Sequence, residues 1–396
     1  MAEPSVPPAE PRRPQRGLLQ VPALQRRPPE RTKASTLDSR VHNRSLVLAT
    51  LYHEGPKSRS EIARESGLSA PTISALVADL EEDGLVADIG PRQGGARLGK
   101  PARLVRIEDD AVNLVVLDLS HSDRFSGAVL NLRGEIVERR DIQLGDALGT
   151  AAHDLVLRLT ADLIETAPRR VLGIGVGSPG IIDDTGVIRL AAHLGWRDLP
   201  LAAELSDRFG LPAYVGNDVN LAALAVLHFR DARTQNLMVI SIEHGVGAAL
   251  VVGGKLVEGE QFAAGEIGHV TVDERGELCR CGRHGCLDLA VNAWHLNRRL
   301  AQAAEEQWPD LRAEAGRALG AALAPIISVL NLNEIVLTGP PELVEGEFLD
   351  AVLEVVRART LGPVNVALDL RSLAGDTDLT LLGGACLVLA GELGVL

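Results

Sequence analysis

One histidine and three cysteines crowd a short stretch of the chain: His269, Cys279, Cys281 and Cys286, with spacing H-x9-C-x-C-x4-C. One imidazole and three thiolates complete a tetrahedral shell for zinc, and four protein ligands leave no open position for an activated water. The expected role is structural: the ion shapes a loop and hydrolyses nothing. Gly276, Gly282 and Gly285 supply turns around the thiols. Three cysteines within eight residues suit one metal site better than a disulfide framework. The fourth, Cys386, sits in an apolar segment and is expected in the core.

A second group of residues points to nucleic acid. After Ser69 a helix begins whose first turn offers Ala70, Pro71, Thr72 and Ser74. In a helix-turn-helix such a turn enters the major groove, where short side chains approach base edges and the helix amides approach phosphate. Arg59 and Arg64 on the preceding helix, with Arg92, Arg97 and Lys100 on a hairpin tip, could neutralise phosphates and make affinity salt-dependent. The formal charge of −13 runs against this until it is divided along the chain. Residues 1–106 hold 17 Lys and Arg against 12 Asp and Glu, and the remainder holds 23 against 41. A basic quarter ahead of an acidic body confines nucleic-acid contact to one end.

The elements that must position these groups can be traced in order. Eight of the first 30 residues are proline, interleaved with arginines, so residues 1–35 read as a disordered tail. A helical pattern starts near His42 and stops at Gly55-Pro56. Ser58 and Glu61 form a capping box for a short second helix closed by Gly67. Ser69 caps a third, with Ile73, Leu76, Val77 and Leu80 on one face. Extended stretches 85–89 and 102–107 flank the basic tip, which completes a winged helix over residues 36–106. From 110 to 396 buried strands at 114–119, 127–132, 171–176, 213–215, 237–242, 248–252 and 335–337 alternate with helical segments, an α/β pattern. No stretch approaches the roughly 18 uninterrupted apolar residues of a membrane span, and the N-terminus lacks the apolar core of a secretory signal. A cytoplasmic protein without membrane contact is expected.

Gly265-Glu266-Ile267-Gly268-His269 followed by Cys279-Arg280-Cys281-Gly282-Arg283-His284-Gly285-Cys286-Leu287-Asp288 resembles the signature segment of the ROK family, which joins bacterial sugar kinases and sugar-responsive repressors. Gly177-Ser178-Pro179-Gly180, Leu194-Gly195-Trp196, Asn217-Asp218-Val219-Asn220 and Gly245-Val246-Gly247 follow the family's order, and the resemblance spans about residues 40 to 393. It implies an actin-like, ribonuclease H-like body of two lobes behind the winged helix-turn-helix. It also implies that Asn217, Asp218, Glu266, His269 and Asp288 bind sugar hydroxyls. Asp218 matches the kinase base, and His269 would bind zinc through one ring nitrogen and offer the other to the sugar. His193 replaces the family's usual asparagine, and Asp288 is one methylene shorter than the usual glutamate, so the identity of the sugar stays open.

ROK kinases cradle ATP phosphates with a turn of the form Asp-x-Gly-Gly-Thr-Lys. This chain has Asp118-Leu119-Ser120-His121-Ser122-Asp123. Side chains replace both glycines, and an acid stands at the lysine position. The second nucleotide turn, Gly-Gly-Gly in the kinases, is Thr338-Gly339-Pro340, where proline deletes an amide donor. The expectation is a transcription regulator, a repressor of carbohydrate genes, that senses a sugar or sugar derivative and does not phosphorylate it. Its partners would be double-stranded operator DNA and a second copy, as a homodimer or homotetramer. A kinase fused to a DNA-binding domain, and a regulator controlled by a partner protein, are the alternatives.

Overall fold

The computed structural model describes residues 36–91, 102–243 and 245–396. The expected tail at 1–35 and the tip bearing Arg92, Arg97 and Lys100 lie outside the described residues. Local chemistry sets the head. The first helix runs over Thr36–Glu54 and buries Val47, Leu48 and Leu51. In the second, Arg59–Ser66, the Glu61 amide donates to Ser58 Oγ at 3.3 Å and the Ser58 amide donates to Glu61 Oε2 at 2.9 Å, with Gly67 at φ 72° as C-cap. The third, Ala70–Glu82, is capped by Ser69, which accepts from the Thr72 amide, and buries Ile73, Leu76, Val77 and Leu80. Strands Val86–Pro91 and Arg103–Ile107 pair antiparallel, and Lys57–Ser58 adds along Arg103–Ile107 as a third strand.

The body repeats one sheet pattern. The first sheet has the order Ala213–Asn217, Val171–Ser178, Asn113–Asp118, Arg124–Leu130, Ile136–Gln143, parallel over the first three strands and antiparallel over the last three. The second has the order Asp369–Ser372, Glu334–Thr338, Leu237–Ile242, Val246–Val252, Lys255–Leu256, with the same division. Central strands such as Leu237–Ile242 are apolar almost throughout because both faces are covered. Strands Ile181–Ile182, Ile188–Ala191 and Trp196–Leu199 form a small antiparallel sheet beside the first.

Two helices join the lobes. Helix Asp218–Phe229 packs Val219 against Gly247 of the second sheet, and helix Leu379–Val388 places the Gly384 carbonyl against Gly175 of the first. They meet backbone to backbone, since a methyl group at Gly383 would run into the Leu221 carbonyl oxygen. Apolar residues of both helices, of both sheets and of the winged helix form one continuous core. A second core lies under the other face of the second sheet, where helix Trp308–Leu330 buries Ala315, Leu319, Leu323 and Ile327 against helix Glu347–Arg359. By length and composition segment Glu305–Leu330 could span a bilayer, but this packed stripe is that of a core helix.

The crossing at Gly383 leaves no room for a side chain. Gly383→Ala is expected to lower unfolding free energy by about 1–3 kcal/mol, the usual cost of overpacking a tight interior. Urea denaturation should show a lower midpoint at unchanged slope, and an unaltered midpoint would mean that the helices separate freely.

Candidate sensor cleft, metal centre and nucleic-acid interface

On the head, Ala70, Pro71 and Ser74 are exposed at the start of the third helix and Thr72 is half-buried. Arg64 reaches outward, with 73% of its side chain exposed and a contact to Glu65 at 3.4 Å. Arg59 is instead held by the protein: it donates to Glu81 at 2.8 Å and stands 3.5 Å from Asp88. Asp88 also accepts from Arg103 at 2.7 Å, and that bond lowers its pKa to about 2. Arg59 therefore ties the second helix to the third and to the wing strand.

The histidine and cysteines come from a loop between the second sheet and a short helix, Leu287–Val291. His269 ends the turn Ile267–His269, and Cys286 is paired across from Thr271. The loop folds so tightly that a side chain at Gly285, φ 62°, would meet the Asp273 carbonyl. The four ligand atoms lie within 4.8 Å of one another and could hold a metal ion. Cys279 Sγ is 3.7 Å from His269 Nδ1, and Cys281 Sγ is 3.5 Å from Cys286 Sγ. Metal bonds of about 2.0–2.3 Å in tetrahedral array give ligand separations of roughly 3.5–3.8 Å, so donor set and spacing fit a closed shell. His269 Nε2 has no hydrogen-bond partner among the described residues.

The cleft residues lie at strand and helix ends. Asn217 closes strand Ala213–Asn217 and caps the helix that follows: its Oδ1 accepts from the Asn220 amide and its Nδ2 donates to the Gly180 carbonyl, both at 3.0 Å. Asp218 opens that helix. Burial, with the nearby Asp118 and Glu243 acting in the same direction, raises its carboxyl from 3.8 to about 7. Asp288 is 5% exposed; one oxygen accepts from the Val246 amide at 3.0 Å and the other from Asn292 Nδ2 at 3.2 Å. It braces the turn at Gly245. Glu266 is exposed.

Sequence reasoning treated Asp118 as the head of a damaged turn and overlooked its place beside Asp218, 100 positions away, along with Glu243. The turn itself is closed by its own side chains. Ser120 donates to Asp118 Oδ1 through both its amide, at 2.9 Å, and its hydroxyl, at 2.6 Å, while His121 Nε2 stands 3.5 Å from Oδ2. Asp118 is 2% exposed, and burial raises its pKa. At the second nucleotide turn Pro340 and Pro341 remove two successive amide donors.

Residues 121–390 match the ROK family and residues 42–97 the MarR family. With the two-lobed body and the winged helix already described, the chain belongs to the ROK family and carries a MarR-like DNA-binding domain in front of its ROK domain. It is 28% identical over 359 residues to the xylose repressor of Caldicellulosiruptor bescii, covering 80% of this chain and 88% of that protein. It is 24% identical over 378 residues to the DNA-binding transcriptional repressor Mlc of Escherichia coli K12, covering 87% and 92%. The crystal structure of a ROK family transcriptional regulator, a homolog of the Escherichia coli Mlc protein, superposes with a TM-score of 0.80 at 23% identity, covering 90% of this chain and 98% of that one. The fold is therefore shared from the winged helix through both lobes.

The raised carboxyl at Asp218 has a definite sign. Its folded pKa lies above the 3.8 of the free group, so between about pH 4 and 7 the native chain binds more protons than the unfolded one, and stability falls as pH rises through that window. Asp218→Asn should melt higher than the native chain at pH 8, with the advantage fading toward pH 4. A difference between the two melting curves that does not change with pH would contradict a perturbed carboxyl.

Proposed function

We propose that this protein is a sugar-responsive, DNA-binding transcription regulator, a repressor of genes for carbohydrate uptake or metabolism, and not a kinase. The observation that carries the reading is the closed turn at Asp118. A carboxylate that is 2% exposed, accepts twice from Ser120 at one oxygen and faces His121 at the other is taken up by its own turn and is poorly placed to meet a magnesium–phosphate group. A sugar cleft has been kept beside a nucleotide turn that no longer opens. The repressor names of its full-length relatives agree with this.

In this reading Ala70, Pro71, Thr72 and Ser74 face the major groove, and Arg64, Arg92, Arg97 and Lys100 meet phosphates. Arg59, engaged with Glu81 and Asp88, positions the recognition helix in preference to touching DNA. Asn217, Asp218, Glu266, His269 and Asp288 receive a neutral sugar whose hydroxyls bond to carboxylates and amides. His269, Cys279, Cys281 and Cys286 hold one zinc, which fixes the loop that carries His269 and Glu266 into the cleft. Winged-helix regulators of this size act on two-fold symmetric sites, so the protein works as a homo-oligomer in the cytoplasm, with residues 36–106 as its DNA-binding unit and 110–396 as its sensor.

Genome-wide mapping of bound DNA tests the reading as a whole: bound sites should lie beside genes for sugar transport or breakdown, and sites scattered without relation to such genes would reject it. The shared role of His269 is tested by substitution. His269→Ala is expected to lose zinc by elemental analysis and to lose the rise in melting temperature given by sugar, whereas Asp218→Asn should keep one zinc per chain and lose the sugar response. Full zinc and a normal sugar response in the His269 variant would make this histidine a bystander.

A further inference from the structure

The first helix of the head ends in an unusual grip. Tyr52 OH donates to the Leu132 carbonyl at 3.0 Å, and Arg133 returns the contact by donating to the Tyr52 carbonyl at 2.8 Å, with its guanidinium carbon 4.4 Å from the centre of the Tyr52 ring. Arg133 also donates to Asp109 at 2.7 Å, in the connector between head and body. On the other side His53 Nε2 lies 2.6 Å from the Val395 carbonyl, and Gly394 packs on Ser45. The grip thus has two jaws: the turn Asn131–Glu135 between two strands of the first sheet, and the chain's last residues.

Both jaws lead back to the helix that begins at Asp218. Its other end, Phe229, packs against Gly134, with a ring carbon 3.0 Å from where a Gly134 side chain would begin, and Leu382 of the C-terminal helix presses on the same glycine. The neighbouring His228 is close enough to His53 for the two to repel when charged, which with burial lowers the His228 pKa. The second route uses the glycine crossing: Leu221 of the Asp218 helix bears on Gly383, and the C-terminal helix passes through a π-helical turn, Leu389–Leu393, into Gly394 and Val395. A 12-residue helix is about 18 Å long, so a carboxylate in the cleft and the root of the DNA-binding head are linked by one rigid rod.

We infer that this rod is the route by which the head reads the cleft: displacement at Asn217 and Asp218 is delivered to Tyr52 and His53 through Gly134–Arg133 and through Gly383–Val395. The inference rests on the proposed reading that the cleft takes an effector. What makes the grip a switch and not a weld is its chemistry. Three of its directional bonds end on the backbone carbonyls of Tyr52, Leu132 and Val395 and the fourth on the half-exposed carboxylate of Asp109, all at partly exposed side chains, where water can replace a lost partner. The apolar residues Val47, Leu48 and Leu51 remain buried beneath them, so the joint can re-register without opening the core.

Hydrogen–deuterium exchange on the full-length protein tests this without knowledge of the effector. Asn217→Ala removes the helix cap and the tie to Gly180 at the cleft end. Exchange over residues 48–54 should change by roughly threefold or more, within the range of coupling carried by packed networks, while strand Leu237–Ile242 stays protected as before. In an Arg133→Leu background, which cuts one of the two routes, the response at 48–54 should be clearly reduced. No response in the native background, or an equal response in the Arg133 variant, would overturn the inference. Should Arg133→Leu fail to fold, Tyr52→Phe, which loses only the bond to Leu132, carries the same comparison and should show a reduced response. A parallel melting-temperature screen of the native protein with D-xylose, D-glucose and N-acetyl-D-glucosamine separates the two claims: absence of any shift counts against the sugar reading and leaves the exchange result to decide the linkage.

Discussion

The contact on which the rest of the molecule depends is the crossing of two helix backbones at Gly383 and Leu221. A carbonyl oxygen that fills the place of a side chain allows no sliding, because interiors at this density answer strain by discrete rearrangement and not by smooth deformation. The crossing fixes helix Asp218–Phe229, whose Val219 bears on Gly247 of the second sheet, to helix Leu379–Val388, whose Gly384 bears on Gly175 of the first. Every cleft group borne by the first helix is thereby referenced to both lobes. The same pair reaches the head, whose apolar residues belong to the same continuous core.

Electrostatics give the cleft its character. Burial raises the pKa of Asp218, and the neighbouring Asp118 and Glu243 disfavour its charge further; burial raises Asp118 as well. An enzyme that moves phosphate would offset such a group with metal and lysine. Here the compensation is local: Ser120 donates twice to Asp118, and His121 stands against its other oxygen. The replacement of glycine by Ser120 therefore does two things at once, blocking close approach of phosphate and satisfying the carboxylate left behind.

How much of this was legible in the chain follows from how local each feature is. The clustering of His269 with three cysteines, the Ser58 and Ser69 caps, Gly67 and the buried strands Val171–Ser178 and Leu237–Ile242 are written within a few residues of one another; the structure has the caps and strands in place and brings the four side chains close enough that they could hold a metal ion. The first helix begins at Thr36, ahead of the His42 start expected from apolar spacing, because the intervening polar residues carry no periodicity and yet include no breaker. The small sheet around Ile188–Ala191 escaped notice since strands of two to four residues are too short to show alternation. Pairings between distant residues were out of reach. Arg59 is equally basic whether it faces phosphate or Glu81, and nothing near His53 announces a bond to Val395, 342 positions later.

Sensing without transfer requires that free sugar, without nucleotide, change the grip of this protein on DNA. The most direct measurement is fluorescence anisotropy of a labelled operator fragment, taken from the mapped sites, titrated with protein in buffer free of ATP while candidate aldoses are added, with the sugar then recovered and analysed for phosphate. One class of sugar should shift operator affinity by roughly 5- to 150-fold, the usual span of coupling between two sites, and be recovered unmodified. Operator affinity indifferent to every sugar until ATP is supplied, with sugar phosphate accumulating, would contradict sensing without transfer.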